Sequence, residues 1–317
     1  MTSPTAAAGT PGLFDPISLR SLELAHRGWV AAMCQYSCDP AVAAGVPTDW
    51  HLVHLGQFAT GGAALIITEA AAVSHEGMIS PRDAGIYTRE QADAWRRIND
   101  FIHEHSAIGT KTAVQLAHAG RKASTYWPFS GRNGSVPESE GGWQTLAPTD
   151  EAFGRYAAPR AMTEDDIDKV VRDFGAAAAL AVDAGFDALE IHAAHGYLLH
   201  QFLSPLVNTR TDGWGGSEEA RFRLTLDVIR EVRRTVPEDH AAPAAHLGVR
   251  LDRGRARRRR LRPAGEAGCR RGRGLRRRLV RRCGTVGVHP GRAGLPGRAR
   301  RGGAYLRRAH RRGRDDQ

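Results

Sequence analysis

The sequence predicts an α/β protein built on a parallel sheet, and three observations carry that expectation. Apolar, strand-like runs alternate four times with amphipathic helical ones between residues 28 and 235. Serial β-α units of this kind bury both faces of a sheet whose strands run parallel. Finally, His192, His195 and Tyr197 fall directly after the apolar run 186–191, at the C-terminal end of a strand. In a (β/α) barrel, that end is the face that carries the chemistry.

The elements follow in order. Residues 1–12 are small and polar, with no basic start and no apolar signal core, and read as a disordered leader. Residues 13–24 read as a short hairpin ahead of the first unit. Strands are expected at 28–33, 63–70, 111–116 and 187–192, and helices at 49–60, 89–105, 163–184 and 217–235. Thr163 precedes Glu164, Asp165 and Asp166, and Ser217 precedes Glu218 and Glu219: hydroxyl N-caps followed by carboxylates that suit the positive end of a helix. The most apolar stretch, 175–182, stops at Asp183 and is too short to span a bilayer. A cytoplasmic protein with no membrane partner is therefore expected. Cys34, Cys38, Cys269 and Cys283 show no CxxC pairing, which argues against a disulfide framework or a zinc ribbon.

The net charge of +11 invites a nucleic-acid reading, and its distribution removes that reading from most of the chain. Residues 240–317 hold 25 Arg, no Lys and four acids, a net of +21, which leaves −10 on the first 239 residues. The same tail lacks Ile, Phe, Trp, Met, Lys, Asn and Ser. Arg, Gly, Ala and Pro, which dominate it, have codons that begin with two G or C bases. Dropping one base at codon 240 makes 240–255 compatible with T-P-L-L-L-R-I-S-A-S-D-W-T-E-G-G. The same shift makes 268–277 compatible with G-V-D-x-V-E-V-S-G-G and 289–297 with I-P-V-G-P-G-Y-Q-V. The expected organisation is thus a leader at 1–12, the N-terminal part of a domain at 13–239, and a low-complexity Arg-rich tail at 240–317 produced by out-of-frame translation.

The candidate site residues are proton-handling and hydrogen-bonding groups at strand ends. Two imidazoles can donate N–H bonds to one substrate oxygen and stabilise charge developing on it. A His pair at i, i+3 could also be structural or bind a metal, but no HExxH motif and no nearby carboxylate or cysteine completes a ligand set, so no metal is expected. Tyr197 can serve as a general acid or simply as a half-buried aromatic. Gln115, closing the third strand, offers a donor and an acceptor side by side, which suits the edge of a heterocycle. Met33 and Cys34 close the first strand; both fit a core, and a thiol beside a redox ring would tune it.

These pieces resemble the Old Yellow Enzyme family of FMN-dependent ene-reductases, in the branch of bacterial xenobiotic reductases. The matching motifs are Leu13-Phe14-Asp15-Pro16, Met33-Cys34-Gln35-Tyr36, Glu69-Ala70, the run from Gln115 to Lys122, the run from His192 to Tyr197, and the run from Asn208 to Ser217. They cover residues 13–239 in family order. The resemblance implies a TIM (β/α)8 barrel, here incomplete with about four β/α units in frame. It implies FMN as cofactor, lined by Ala31, Ala32, Met33, Cys34, Ala70 and Gln115. It also implies Tyr36, His192 and His195 as substrate-binding residues and Tyr197 as proton donor. NAD(P)H would supply the hydride and an activated, electrophilic alkene would receive it, and a homo-oligomer is compatible. The chain departs from the family at Ala31-Ala32, where a proline is usual at the second position, at Ala220, and at Gly28-Trp29.

TIM barrels grip cofactor phosphate with loops after strands 7 and 8, which would lie beyond the break. The family's Arg near the flavin N1 falls at position 245, where this chain has Ala245. Two readings follow: an FMN-dependent NAD(P)H oxidoreductase whose activity is compromised by its C-terminus, or a non-enzymatic half-barrel whose basic tail binds RNA or another polyanion.

Overall fold

In the computed structural model, residues 10–238 and 241–247 are described. All lie in the first of the chain's two units, 1–257; the second unit, 258–317, lies outside the described residues, as do most of the leader, Cys269, Cys283 and nearly all of the Arg-rich tail.

A hairpin of β1 (Ile17–Leu19) and β2 (Leu22–Leu24) opens the described fold, turning through Arg20 at φ 56°. Leu22 and Leu24 pack on Ala64, Leu65 and Ala113, so the hairpin covers the N-terminal ends of the main strands. Those strands are β3 (Trp29–Val30), β4 (Leu65–Ala72), β5 (Lys111–Ala117), β8 (Ala188–Ala193) and β9 (Ala241–Leu247), while β6 (Leu146–Ala147) and β7 (Arg160–Ala161) pair with each other apart from them. They form one sheet in the order β3-β4-β5-β8-β9, every neighbouring pair parallel. Helices α1 (Asp49–Thr60), α2 (Arg89–His105), α3 (Glu164–Asp183) and α5 (Glu218–Thr235) each return the chain to the start of the next strand. Spatial order that repeats chain order, with a helix after each strand, is the winding of a (β/α) barrel, and five strands are fewer than the eight that close one. The fold is therefore an incomplete TIM barrel among the described residues, with four whole β/α units.

The helix starts obey local chemistry. Thr48, Thr88 and Thr163 each complete a capping box and Ser217 accepts from the Ala220 N–H, so orphan donors of all four helices are satisfied. The core lies between the sheet and α1, α2, α3 and α5. Its largest member, Trp95, is fully buried and donates its indole N–H to the Gly85 carbonyl at 3.0 Å.

Three elements depart from the sequence reading. The first main strand is two residues long rather than 28–33, because only Trp29 and Val30 find partners on β4; residues 31–36 instead cross the strand ends as a loop. A short helix, α4 (Leu198–Leu203), follows Tyr197 directly. Strand β9 pairs with β8 just beyond the expected break at 239, in a segment whose alanines and proline carry little strand propensity. The three re-read segments otherwise lie outside the described residues.

Candidate active site at the C-terminal strand ends

The site is built on one row of the sheet. Ala70 on β4 is in register with Gln115 on β5, which is in register with Glu190 on β8. Gln115 Nε2 donates to Glu190 Oε2 at 3.2 Å, so the amide is oriented by a carboxylate on the next strand. Ala70 and Gln115 are both buried, and Ala70 keeps this part of the floor shallow.

The chain leaving β8 turns sharply. The Ala194 N–H donates to His192 Nδ1 at 3.3 Å, which places the ring proton of buried His192 on Nε2. That nitrogen lies 3.3 Å from His195 Nδ1, and the two rings meet edge to face at 5.0 Å. By the same logic His195 carries its proton on the outward nitrogen, Nε2. Tyr197 packs edge to face on His192, also at 5.0 Å. His195 sits at φ 56°, a left-handed conformation that β-carbon-bearing residues seldom adopt and that clusters at functional sites. Lys122 holds this turn: its ammonium donates to the His195 carbonyl at 2.9 Å and lies 4.4 Å above the Tyr197 ring. Partial burial pulls the Lys122 pKa down.

A second set of bonds locks this loop to the one after β5. The Leu198 N–H donates to the His118 carbonyl at 2.9 Å. Gln201 donates to the carbonyls of Ala119 (3.1 Å) and Gly196 (2.8 Å) and accepts from the Arg121 N–H at 3.2 Å. Gly120, at φ 62°, gives Gln201 the space to do so.

The third loop, 31–36, carries Cys34 and Tyr36. Tyr36 has φ 52°, the second left-handed residue of the site. Its backbone is tethered through the Gln35 N–H, which donates to Glu69 Oε2 at 3.0 Å. Burial, helped by the charges of Asp83 and Glu69, pushes the Cys34 thiol far up, so it is a protonated thiol and not a thiolate. Burial likewise raises the Tyr36 and Tyr197 phenols, and each feels the Cys34 sulfur and Asp83. Tyr36 and Tyr197, 161 positions apart in sequence, line one cleft of about 520 Å³ together with Lys122, Trp127, Arg155 and Tyr156. The roof of that cleft comes from the long excursion between β5 and α3.

The structure thus brings Tyr36, Cys34 and Tyr197 together, with His192 packed beneath Tyr197 and His195 exposed at the rim. Ala31 and Met33 lie in the same strand-end loop and border a small cavity with His51 and Glu69, and neither lines the cleft. The sequence reading passed over Lys122, Glu190, His51 and Gln201. Lys122 sits inside the run from Gln115 to Lys122 and is visible there; the other three gain meaning from partners 18, 75 and 80 residues away. Among the described residues, no group of three or more His, Cys, Asp or Glu is placed to hold a metal ion. No helix among them is long and apolar enough to cross a membrane.

Fold and strand-end residues together place a candidate site at the C-terminal ends of the strands of an incomplete (β/α) barrel. The model of the NADH:flavin oxidoreductase / NADH oxidase family matches residues 12–253, and the chain belongs to that family. It is 42% identical over 238 residues to an NADH:flavin oxidoreductase of Gibberella zeae, covering 74% of this chain and 56% of that protein. It is 39% identical over 245 residues to an NADPH dehydrogenase of Listeria monocytogenes, covering 76% and 67%. Among solved structures, an old yellow enzyme homologue from Zymomonas mobilis superposes with a TM-score of 0.64 at 32% identity, over 75% of this chain and 63% of that one. Morphinone reductase in complex with tetrahydroNAD gives 0.64 at 31%, over 75% and 64%. The chain spans little more than half the length of the Gibberella relative and about two thirds of the Listeria one.

Proposed function

We propose that this chain carries the substrate-facing half of an FMN-dependent NAD(P)H ene-reductase site. The observation that carries the reading is the convergence of Tyr36 and Tyr197 on one cleft, with His192 and His195 beside them and the Ala70–Gln115–Glu190 row on the same face of the sheet.

The residues present fit the ring end of a flavin. Ala31, Ala32 and Ala70 are small apolar residues near the strand ends, Met33 is large, apolar and 51% exposed there, and Gln115 is a pinned amide for the edge of a heterocycle. Cys34 would face the ring as a neutral thiol. When bound, FMN supplies hydride chemistry, taking hydride from NAD(P)H and giving it to the β-carbon of an activated alkene. The protein's own residues supply the rest. The Nε2–H of His195, with Tyr36, would hold the substrate's carbonyl or nitro oxygen and stabilise charge that develops on it, and His192 would join them by turning its Nε2–H from His195 Nδ1 to that oxygen. Tyr197 would deliver a proton to the α-carbon; burial keeps its phenol protonated at neutral pH, as a donor requires. Lys122 and the roof residues Trp127 and Tyr156 would limit water around the reacting carbons.

The grip on the cofactor's phosphate would come from loops after later strands than the five described. The test is to purify the full chain, add FMN and record the visible flavin spectrum and the protein-bound fraction after gel filtration, then follow NAD(P)H consumption with a cyclic enone. A perturbed flavin band with enone-dependent consumption supports the reading. No bound flavin, together with salt-sensitive binding of the chain to RNA, overturns it in favour of a polyanion-binding half-barrel.

A further inference from the structure

The motif Glu69-Ala70 contributes a residue that the proposed reaction does not use. Glu69 is a buried carboxylate on β4, only 4% exposed. A carboxylate removed from water is costly unless it is paired and hydrogen-bonded. Its partners come from two other elements. Oε1 lies 3.0 Å from Nε2 of His51, itself buried, in the first turn of α1. Oε2 accepts the Gln35 N–H at 3.0 Å, in the loop that holds Cys34 and Tyr36. His51 is fixed from its other side, since Nδ1 accepts the Thr48 N–H at 2.9 Å in the α1 capping box. That bond puts the His51 proton on Nε2, which lies at ion-pair distance from Glu69 Oε1 without the alignment of a hydrogen bond.

The same loop is stitched to the start of α1 by weaker bonds. Trp50 Nε1 donates to Gln35 Oε1 at 3.3 Å, and Thr48 Oγ1 donates to the Ser37 carbonyl at 3.3 Å. Glu69 is the one charged and buried member of this set. The residue directly after Gln35 is Tyr36, whose left-handed backbone has to be held by its surroundings.

We propose that Glu69 and His51 are positioning residues: the buried pair clamps the Gln35 backbone and thereby sets where Cys34 and Tyr36 stand at the strand ends. The inference rests on the reading of Cys34 and Tyr36 as site residues for its functional meaning, but the clamp itself is a property of the protein alone.

Glu69→Gln is nearly isosteric and separates the alternatives. An amide has one acceptor and one donor end, whereas its two neighbours, the Gln35 N–H and the His51 Nε2–H, are both donors; one contact must turn repulsive. His51→Asn is the second variant, because an Asn oxygen can still cap α1 while the reach to Glu69 is lost. The readout is alkylation of the full, cofactor-free chain by iodoacetamide, mapped by peptide mass spectrometry. Cys34 lies in the clamped loop, and fully buried Cys38 is the internal control. Loss of a hydrogen bond to a charged group should speed Cys34 labelling about tenfold in both variants, with Cys38 still protected. Unchanged Cys34 labelling in both variants overturns the proposal. So does a parallel rise at Cys34 and Cys38, which would make the pair a support of the whole core and not of the loop. Because no flavin is present, the result stands apart from the FMN-binding test of the proposed function.

Discussion

Gly120→Ala should be among the most damaging small substitutions in this protein, and the structure says why. Gly120 sits at φ 62°, so any side chain there adopts a left-handed backbone at a cost of about 1–2 kcal/mol. Its added Cβ would land on Gln201 Oε1 and 2.6 Å from Nε2. Gln201 would have to leave, and its bonds to Ala119 O, Gly196 O and Arg121 N would be lost, at about 1 kcal/mol each. The sum is about 4–5 kcal/mol, or a fall in midpoint of about 8–20 °C for a domain of this size. Urea or thermal denaturation of the single and double variants measures it. In a Gln201→Ala background the space is vacated, so Gly120→Ala should then cost only about 1–2 kcal/mol, a coupling of about 3 kcal/mol. Equal costs in the two backgrounds would refute the argument that Gly120 exists to admit Gln201. The same variant should loosen the 194–197 turn against the loop after β5, because Gln201 and the Leu198–His118 bond join them.

Asp187 is mostly buried; burial pushes its carboxyl up, but bonds from His103, the Thr112 N–H and Lys111 more than offset this and leave its pKa lowered. A depressed folded pKa stabilises at neutral pH and the benefit disappears as pH falls from about 5 toward the folded value. Denaturation midpoints of Asp187→Asn should therefore be lower at neutral pH and flatter than wild type in acid. Asp83 has the opposite sign. Burial, aided by Glu69, pushes it up to about 8 despite bonds from the Ile79 N–H and Ser80. Wild-type stability should fall as pH rises from about 4 to 8, as the buried acid is forced to ionise, and Asp83→Asn should abolish that slope; an unchanged slope would remove Asp83 as its source. Tyr197→Phe, in chain loaded with FMN, should cut enone reduction about 10²–10⁴-fold while leaving NAD(P)H oxidation by another acceptor near wild type. Equal loss in both assays would show that Tyr197 acts in binding and not as the acid.

Much of the fold was legible in local pattern. The bounds of α1 and α2 coincide with the expected ones, because capping threonines mark their starts. The first strand was over-read, since 31–33 are apolar yet have no partner on β4. Helix α4 was missed because six residues carry too little periodicity to read. The order of motifs likewise exposed Gln115, His192, His195 and Tyr197. It did not expose which groups hold them, because Glu190, Lys122, Gln201 and the Glu69–His51 pair act through contacts across the sheet.

Sequence alone determined the element types, the repeating β-α order and the chemical character of the strand ends, because periodicity and capping are local properties of the chain. The abrupt change of composition near residue 240 was also visible there. Only the tertiary structure decided that 31–36 leaves the sheet to become a tethered loop, and that Tyr36 and Tyr197 share a cleft. It also decided which neighbours hold the left-handed turn at His195. The physical reason is the same in each case. A strand exists only where a neighbour supplies hydrogen bonds, and a strained or buried polar group persists only where packing from elsewhere in the chain compensates it.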